Sequence, residues 1–149
     1  MTNSIRTTNN NRKAFTTFFK LFGANFESLI FTLAGEYSDA YNGGHWSIAF
    51  IGTEQSFDNS FPIVPNDAGE TISVCNPMNY FEGEMTNRAF GLAIFMMALS
   101  ATSFKGNQAA HNAAEIYHLI NEKMTASAHS TEEGSLTIEE YKMIKRFLD

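Results

Sequence analysis

Cysteine, cationic charge and long apolar runs are all scarce in this sequence. A single cysteine, Cys75, excludes an internal disulfide framework. The longest apolar stretch, residues 89–101, is about thirteen residues, short of the roughly twenty that a spanning helix needs. Residues 1–12 are polar and rich in Asn and Thr, without the arrangement of a signal peptide, so a cytoplasmic protein with no membrane role is expected. Ten basic residues stand against sixteen acidic ones, for a net charge of −6. Four of the ten, Arg6, Arg12, Lys13 and Lys20, lie in residues 1–20, where there is no acid, which leaves −10 for the remainder. Such a body repels phosphate backbones and offers no basic stripe interleaved with aromatics, so direct nucleic-acid binding is not expected. Phosphate-loop, dinucleotide, zinc-knuckle and calcium-loop signatures are missing as well. No serine sits in a nucleophile elbow, and Cys75 has no helical or basic sequence neighbour to activate its thiol.

What is present is core material. Fourteen Phe, seven Met and five Tyr in 149 residues describe one well-packed domain that needs no metal or disulfide to bury its interior. Residues 1–13 are expected as a flexible arm and residues 14–149 as the domain. Over residues 14–41, Phe15, Phe18, Phe19, Phe22, Phe26, Leu29, Ile30, Leu33 and Tyr37 recur at helical spacing. Gly23 divides this run into a short helix and a longer one, with Asn25 as the second N-cap. Residues 46–51, 61–65 and 71–75 read as three short strands of one small antiparallel sheet, the last two bracketing a turn at Asn66, Asp67, Ala68 and Gly69. Pro62 and Pro65 push their strand to an edge. Thr86 caps a nearly all-apolar central helix ending near Phe104, a further helix covers residues 108–126, and Thr137 with Glu140 forms the capping box of a last one. The sum is a single α+β domain, a small antiparallel sheet of three to four strands packed with four to five helices.

Four groups of residues are candidates for function. Tyr41, Asn42, Gly43, Gly44, His45 and Trp46 stand where a helical pattern gives way to a strand. The Asn and Gly residues suit a sharp reversal, and Trp46, the only tryptophan, anchors it provided that its indole N–H finds an acceptor. Glu82 and Glu84 flank Gly83 and share a face of an extended segment, as an acid–base pair would. Lying just before the Thr86 cap, they equally suit the positive end of the next helix. His111, Glu115 and His118 fall on one arc of a helix, as half a metal site or as a solvated flank; carboxylate di-iron bundles need the motif twice, and only one copy occurs. Glu132, Glu133, Glu139 and Glu140 are the nearest approach to the carboxylate rows of a DNA mimic, which needs a charge about every 1.7 Å. The residues together describe an acidic binding module more than an enzyme, and no cofactor or metal is expected.

The order of Tyr41-Asn-Gly-Gly-His-Trp46, a strand containing Pro65, and Asn79-Tyr80-Phe81-Glu82-Gly83-Glu84-Met85-Thr86 running into an alanine-rich helix resembles the ArdB/KlcA antirestriction family. The likeness extends over residues 22–120, with His45 where an aromatic is usual and Tyr117-His118-Leu119 in the late helix, and returns at the closing Phe147-Leu148-Asp149. Residues 52–60 and 125–137 depart from the pattern. The resemblance implies a protein of a plasmid, phage or genomic island that inhibits a host type I restriction-modification complex by protein–protein contact, without catalysis. It leaves a homodimer, the subunit bound and two rival readings, a DNA mimic and a small metal-dependent hydrolase, open. Tyr80, Phe81, Glu82 and Glu84 are then a surface or hinge neighbouring residues 41–46, and the patch between the two segments is the preferred partner site.

Overall fold

The computed structural model describes residues 2–8, 10–65 and 70–149. The elements run β1 (Ile5–Thr8), α1 (Asn11–Phe22), α2 (Phe26–Tyr37), β2 (Ser47–Ile51), β3 (Ser60–Ile63), β4 (Thr71–Asn76), β5 (Phe81–Thr86), α3 (Asn87–Thr102), α4 (Gln108–Ala128) and α5 (Ile138–Leu148). Among the described residues, five helices and two small antiparallel sheets make an α+β domain, the fold class expected.

The helices start where local chemistry provides an acceptor. Thr86 Oγ1 accepts the Ala89 N–H at 3.1 Å, and Asn107 Oδ1 accepts the Ala110 N–H at 2.9 Å. Thr137 and Glu140 form the full capping box. Asn25 stands at the N-cap of α2 as expected, but in helical backbone and without a side-chain bond to the helix.

The sheets differ from expectation in grouping. β1, β2 and β3 form one sheet in that order, pairing Ile5 with Ile51 and Ile48 with Pro62, so the Pro62 strand is an edge as its missing N–H requires. β4 instead pairs with β5 as a separate hairpin, with Ser73 opposite Glu84 and Cys75 opposite Glu82. The segment expected as a flexible arm therefore contributes a strand. Ser127 Oγ donates to the Asn3 carbonyl at 2.6 Å, and the Ile5 N–H donates to Gly134 at 3.0 Å, which fastens β1 to the far end of the chain. The expected turn at residues 66–69 lies outside the described residues.

α3 is the central helix. Every residue from Ala89 to Met96 is buried, and Gly91 lets the helix rest directly on the β3 backbone, where an added Cβ would lie 2.0 Å from the Pro62 carbonyl oxygen. Phe18, Phe22, Phe26 and Phe95 pack ring to ring between α1, α2 and α3, with centroids 4.7–6.4 Å apart. Such rings add edge-to-face and offset contacts to a large buried apolar area, which ties the first helices to the centre.

Candidate functional site

Residues 41–46 build a structural corner. Gly43 (φ 87°) and Gly44 (φ 113°) supply the left-handed backbone, while Asn42, expected to share that role, has no positive φ. At Gly44 a Cβ would come within 3.2 Å of the Pro65 ring, so the turn packs closely on the chain following β3. Trp46 is buried, and its indole N–H donates to the Tyr41 hydroxyl at 3.1 Å, the acceptor that its burial demands. The Phe31 ring packs on the indole with centroids 5.5 Å apart. His45 is exposed, and with Gly44 and Trp46 it walls a groove of about 580 Å³ against Arg12, Phe15 and Phe19 of α1 and Glu27 and Phe31 of α2.

The second segment forms the β4–β5 hairpin. Phe81 and Met85 point into the core, Phe81 meeting the Phe147 ring edge-on at 5.9 Å, and Glu82 and Glu84 point outward on one face as their spacing requires. That face carries Ser73 and Cys75 from β4 and borders Glu36 and Asp39 at the end of α2, enclosing a groove of about 410 Å³. Glu36, Asp39, Glu82 and Glu84 are all exposed, so four carboxylates share one face. This groove and the one beside Trp46 have no lining residue in common. The two segments therefore line different grooves.

The hairpin tip, residues 77–80, is held from below. Asn76 Nδ2 donates to the Phe147 carbonyl at 2.9 Å, and Asn79 Nδ2 donates to the carbonyls of Arg146 and Phe147, both at 3.0 Å. The two Asn carbonyl oxygens accept the N–H groups of Met78 and Phe81, each at 3.1 Å. Two asparagine side chains thus turn the loop and fasten it to the last turn of α5. Met78 is 85% exposed and Tyr80 94%. The Asn76-Pro77 and Asn79 turn signals could have located this tip in the sequence, but Pro77, Glu36 and Asp39 come to line one groove only through the fold.

At the start of α3 the carboxylate is not Glu82 or Glu84 but Glu140. Its side chain accepts from Arg88 Nη2 at 2.6 Å, Arg88 Nε at 2.8 Å, Thr86 Oγ1 at 2.6 Å and the Thr137 N–H at 2.9 Å. Burial alone would raise its pKa; the bonds from Arg88, Thr86 and Thr137 outweigh that and hold it below the usual glutamate range. Glu140 is accordingly removed from any acidic surface at the C-terminal end, where residues 132, 133 and 139 remain. His111, Glu115 and His118 are exposed on α4, with His111 Nε2 4.0 Å from Glu115, and no group of three or more His, Cys, Asp or Glu among the described residues is placed to hold a metal ion. No helix of the described residues is long and apolar enough to cross a membrane.

The family model for antirestriction protein matches residues 39–147, a span that begins just before the Trp46 corner and ends in the turn of α5 that fastens the hairpin. No curated protein matches the sequence.

Proposed function

This chain belongs to the antirestriction protein family, and from that premise we propose that it inhibits a host type I restriction-modification complex by occupying part of the complex's surface. In this reading it is an ArdB/KlcA-like protein carried by a mobile element, and it acts on the enzyme without catalysis and without holding DNA itself. The observation that carries this reading is the outward face of β4 and β5, where Glu82 and Glu84 stand beside Glu36 and Asp39 next to a fastened, apolar-tipped loop. An exposed face with fixed backbone, one sign of charge and large apolar side chains suits association with another macromolecule. Tyr41, Asn42, Gly43, Gly44, His45 and Trp46 act in this reading by holding the corner that sets α2 against the sheet, and Phe81 by seating the hairpin.

The test is the plating efficiency of unmodified phage on cells with and without a type I system, with the chain expressed in both. Inhibition restores plating only where the system is present; equal plating in both arms refutes the proposal. Raising ionic strength in a purified cleavage assay separates contact types. Inhibition by charge imitation of DNA collapses as the Debye length shortens to about 3 Å near 1 M salt, whereas an apolar contact persists.

A further inference from the structure

Two side chains at the tip of the β4–β5 hairpin contribute nothing to the core. Met78 and Tyr80 are 85% and 94% exposed, and the Tyr80 ring and hydroxyl meet no ring or hydrogen-bond partner among the described residues. Tyr80 nevertheless adopts φ 61°, and it is the only non-glycine with positive φ among the described residues. Glycine enters that region without penalty, and asparagine enters it more readily than a bulky residue. A tyrosine here costs the folded state stability and returns no buried area, so its presence is not accounted for by the fold. Exposed strain of this kind persists where the surroundings impose it and something other than packing uses it.

The surroundings do impose it. Asn76 and Asn79 fix the loop from both sides through the carbonyls of Arg146 and Phe147. The tip is therefore ordered before any partner arrives, which lowers the entropic cost of association. Tyrosine is also among the side chains that most often dominate binding energy, being large, stiff and able to donate a hydrogen bond. Past the tip, the outward residues of β5 are Glu82 and Glu84, while the Arg146 guanidinium stands 5.6 Å from the Phe81 ring, so what receives Tyr80 meets two carboxylates along the outward face of β5 and one cation from α5.

We infer that Tyr80, with Met78 two residues before it, is the anchor by which this protein grips its target, and that the target offers an apolar pocket rimmed by Lys or Arg. This rests on the antirestriction reading and names the chemistry of the contact.

The experiment compares wild type, Tyr80→Gly, Tyr80→Asn and Tyr80→Phe for phage plating on type I cells, with urea denaturation of each purified protein. Tyr80→Gly is expected to unfold at equal or higher urea than wild type and yet lose at least about tenfold of the plating protection, a loss in binding of the size that one anchor supplies. Tyr80→Asn, which also tolerates this backbone, should repeat the loss, and Tyr80→Phe should keep most of the protection. In the Tyr80→Gly background, Glu82→Lys should reduce what protection remains. Folded Tyr80→Gly or Tyr80→Asn that protects as well as wild type overturns the anchor and leaves the antirestriction reading standing. A wild-type chain that gives no protection overturns both. A wild-type oligomer that Tyr80→Gly dissolves, or a labelled oligonucleotide retained by wild type and released by Tyr80→Gly, also overturns the inference, because the tip then serves a second copy or a nucleic acid.

Discussion

Replacing Gly91 by alanine sets two physical effects against each other. Helix propensity favours alanine over glycine by about 1 kcal/mol in a helix interior, so local reasoning predicts a more stable protein. The packing of α3 predicts the reverse. A Cβ at position 91 would lie 2.0 Å from the Pro62 oxygen, 2.9 Å from its carbonyl carbon and 3.0 Å from Ile63 Cα, all of them backbone atoms that no rotamer change can move. Real Cβ atoms essentially never approach closer than 3.0 Å, so helix and strand must part by about 1 Å at the centre of the core. Overpacking of that kind costs roughly 3 kcal/mol, the upper part of the usual range, and the net loss after the propensity gain is about 2 kcal/mol. For a chain of this size that lowers the melting temperature by about 4–8 °C. Gly35→Ala is the matched control: Gly35 is exposed in α2 with nothing within 4 Å of the added Cβ, so it should gain about 0.5–1 kcal/mol. Urea denaturation of the three proteins, with unchanged slopes, gives both differences. A Gly91→Ala protein as stable as wild type would show that α3 and β3 do not meet through backbone, and the reasoning would fail.

Glu140→Gln keeps the shape of the capping box but leaves the Arg88 guanidinium without its counter-charge, and should cost about 3 kcal/mol near neutral pH. Because the folded-state pKa of Glu140 is depressed, its contribution is complete above the unfolded glutamate value and fades as pH falls through the lower folded one. The gap between wild type and Glu140→Gln in urea midpoint should therefore close in acid; a gap independent of pH would contradict the assigned bonds. Tyr41→Phe removes the acceptor of a buried indole N–H and should cost about 1–2 kcal/mol, read from the emission of the sole tryptophan during unfolding. No measurable loss would mean that another group satisfies Trp46. Removing residues 2–8 takes away β1 and the half-buried Ile5, and a drop of about 2 kcal/mol or more is expected. Unchanged stability would show β1 to be dispensable to the domain.

Helices were the most legible part of the sequence, because a 3.6-residue period and a cap are properties of neighbours in the chain. Thr86, Asn107 and the Thr137–Glu140 box act within three residues, and α3 announced its central place by being apolar on every side. Strands depend on partners elsewhere. Ile5–Thr8 has one apolar residue and becomes a strand only because residues 48–51 lie beside it. Phe81, Gly83 and Met85 do alternate with Glu82 and Glu84, yet the Glu-Gly-Glu run before a helix cap reads as loop until β4 is placed opposite. The candidate site follows the same division. That Glu82 and Glu84 share a face, and that Trp46 needs an acceptor, could be read from spacing and chemistry. Arg88 with Glu140 joins residues 52 apart, and the exposure of Met78 and Tyr80 is a tertiary fact that no local pattern encodes.

The clasp between β1 and residues 132–135 has a consequence for biosynthesis. The Asn3 N–H donates to the Glu132 carboxylate and the Ser4 hydroxyl to the Glu133 carbonyl, contacts that span 129 positions. During translation β1 must wait, unpaired on this side, until residues 132–135 have left the ribosome. Closure of such a large ring is entropically slow. The domain should thus complete its native state only after residues 132–135 emerge, and a nascent chain stalled before residue 132 should remain sensitive to protease around β1.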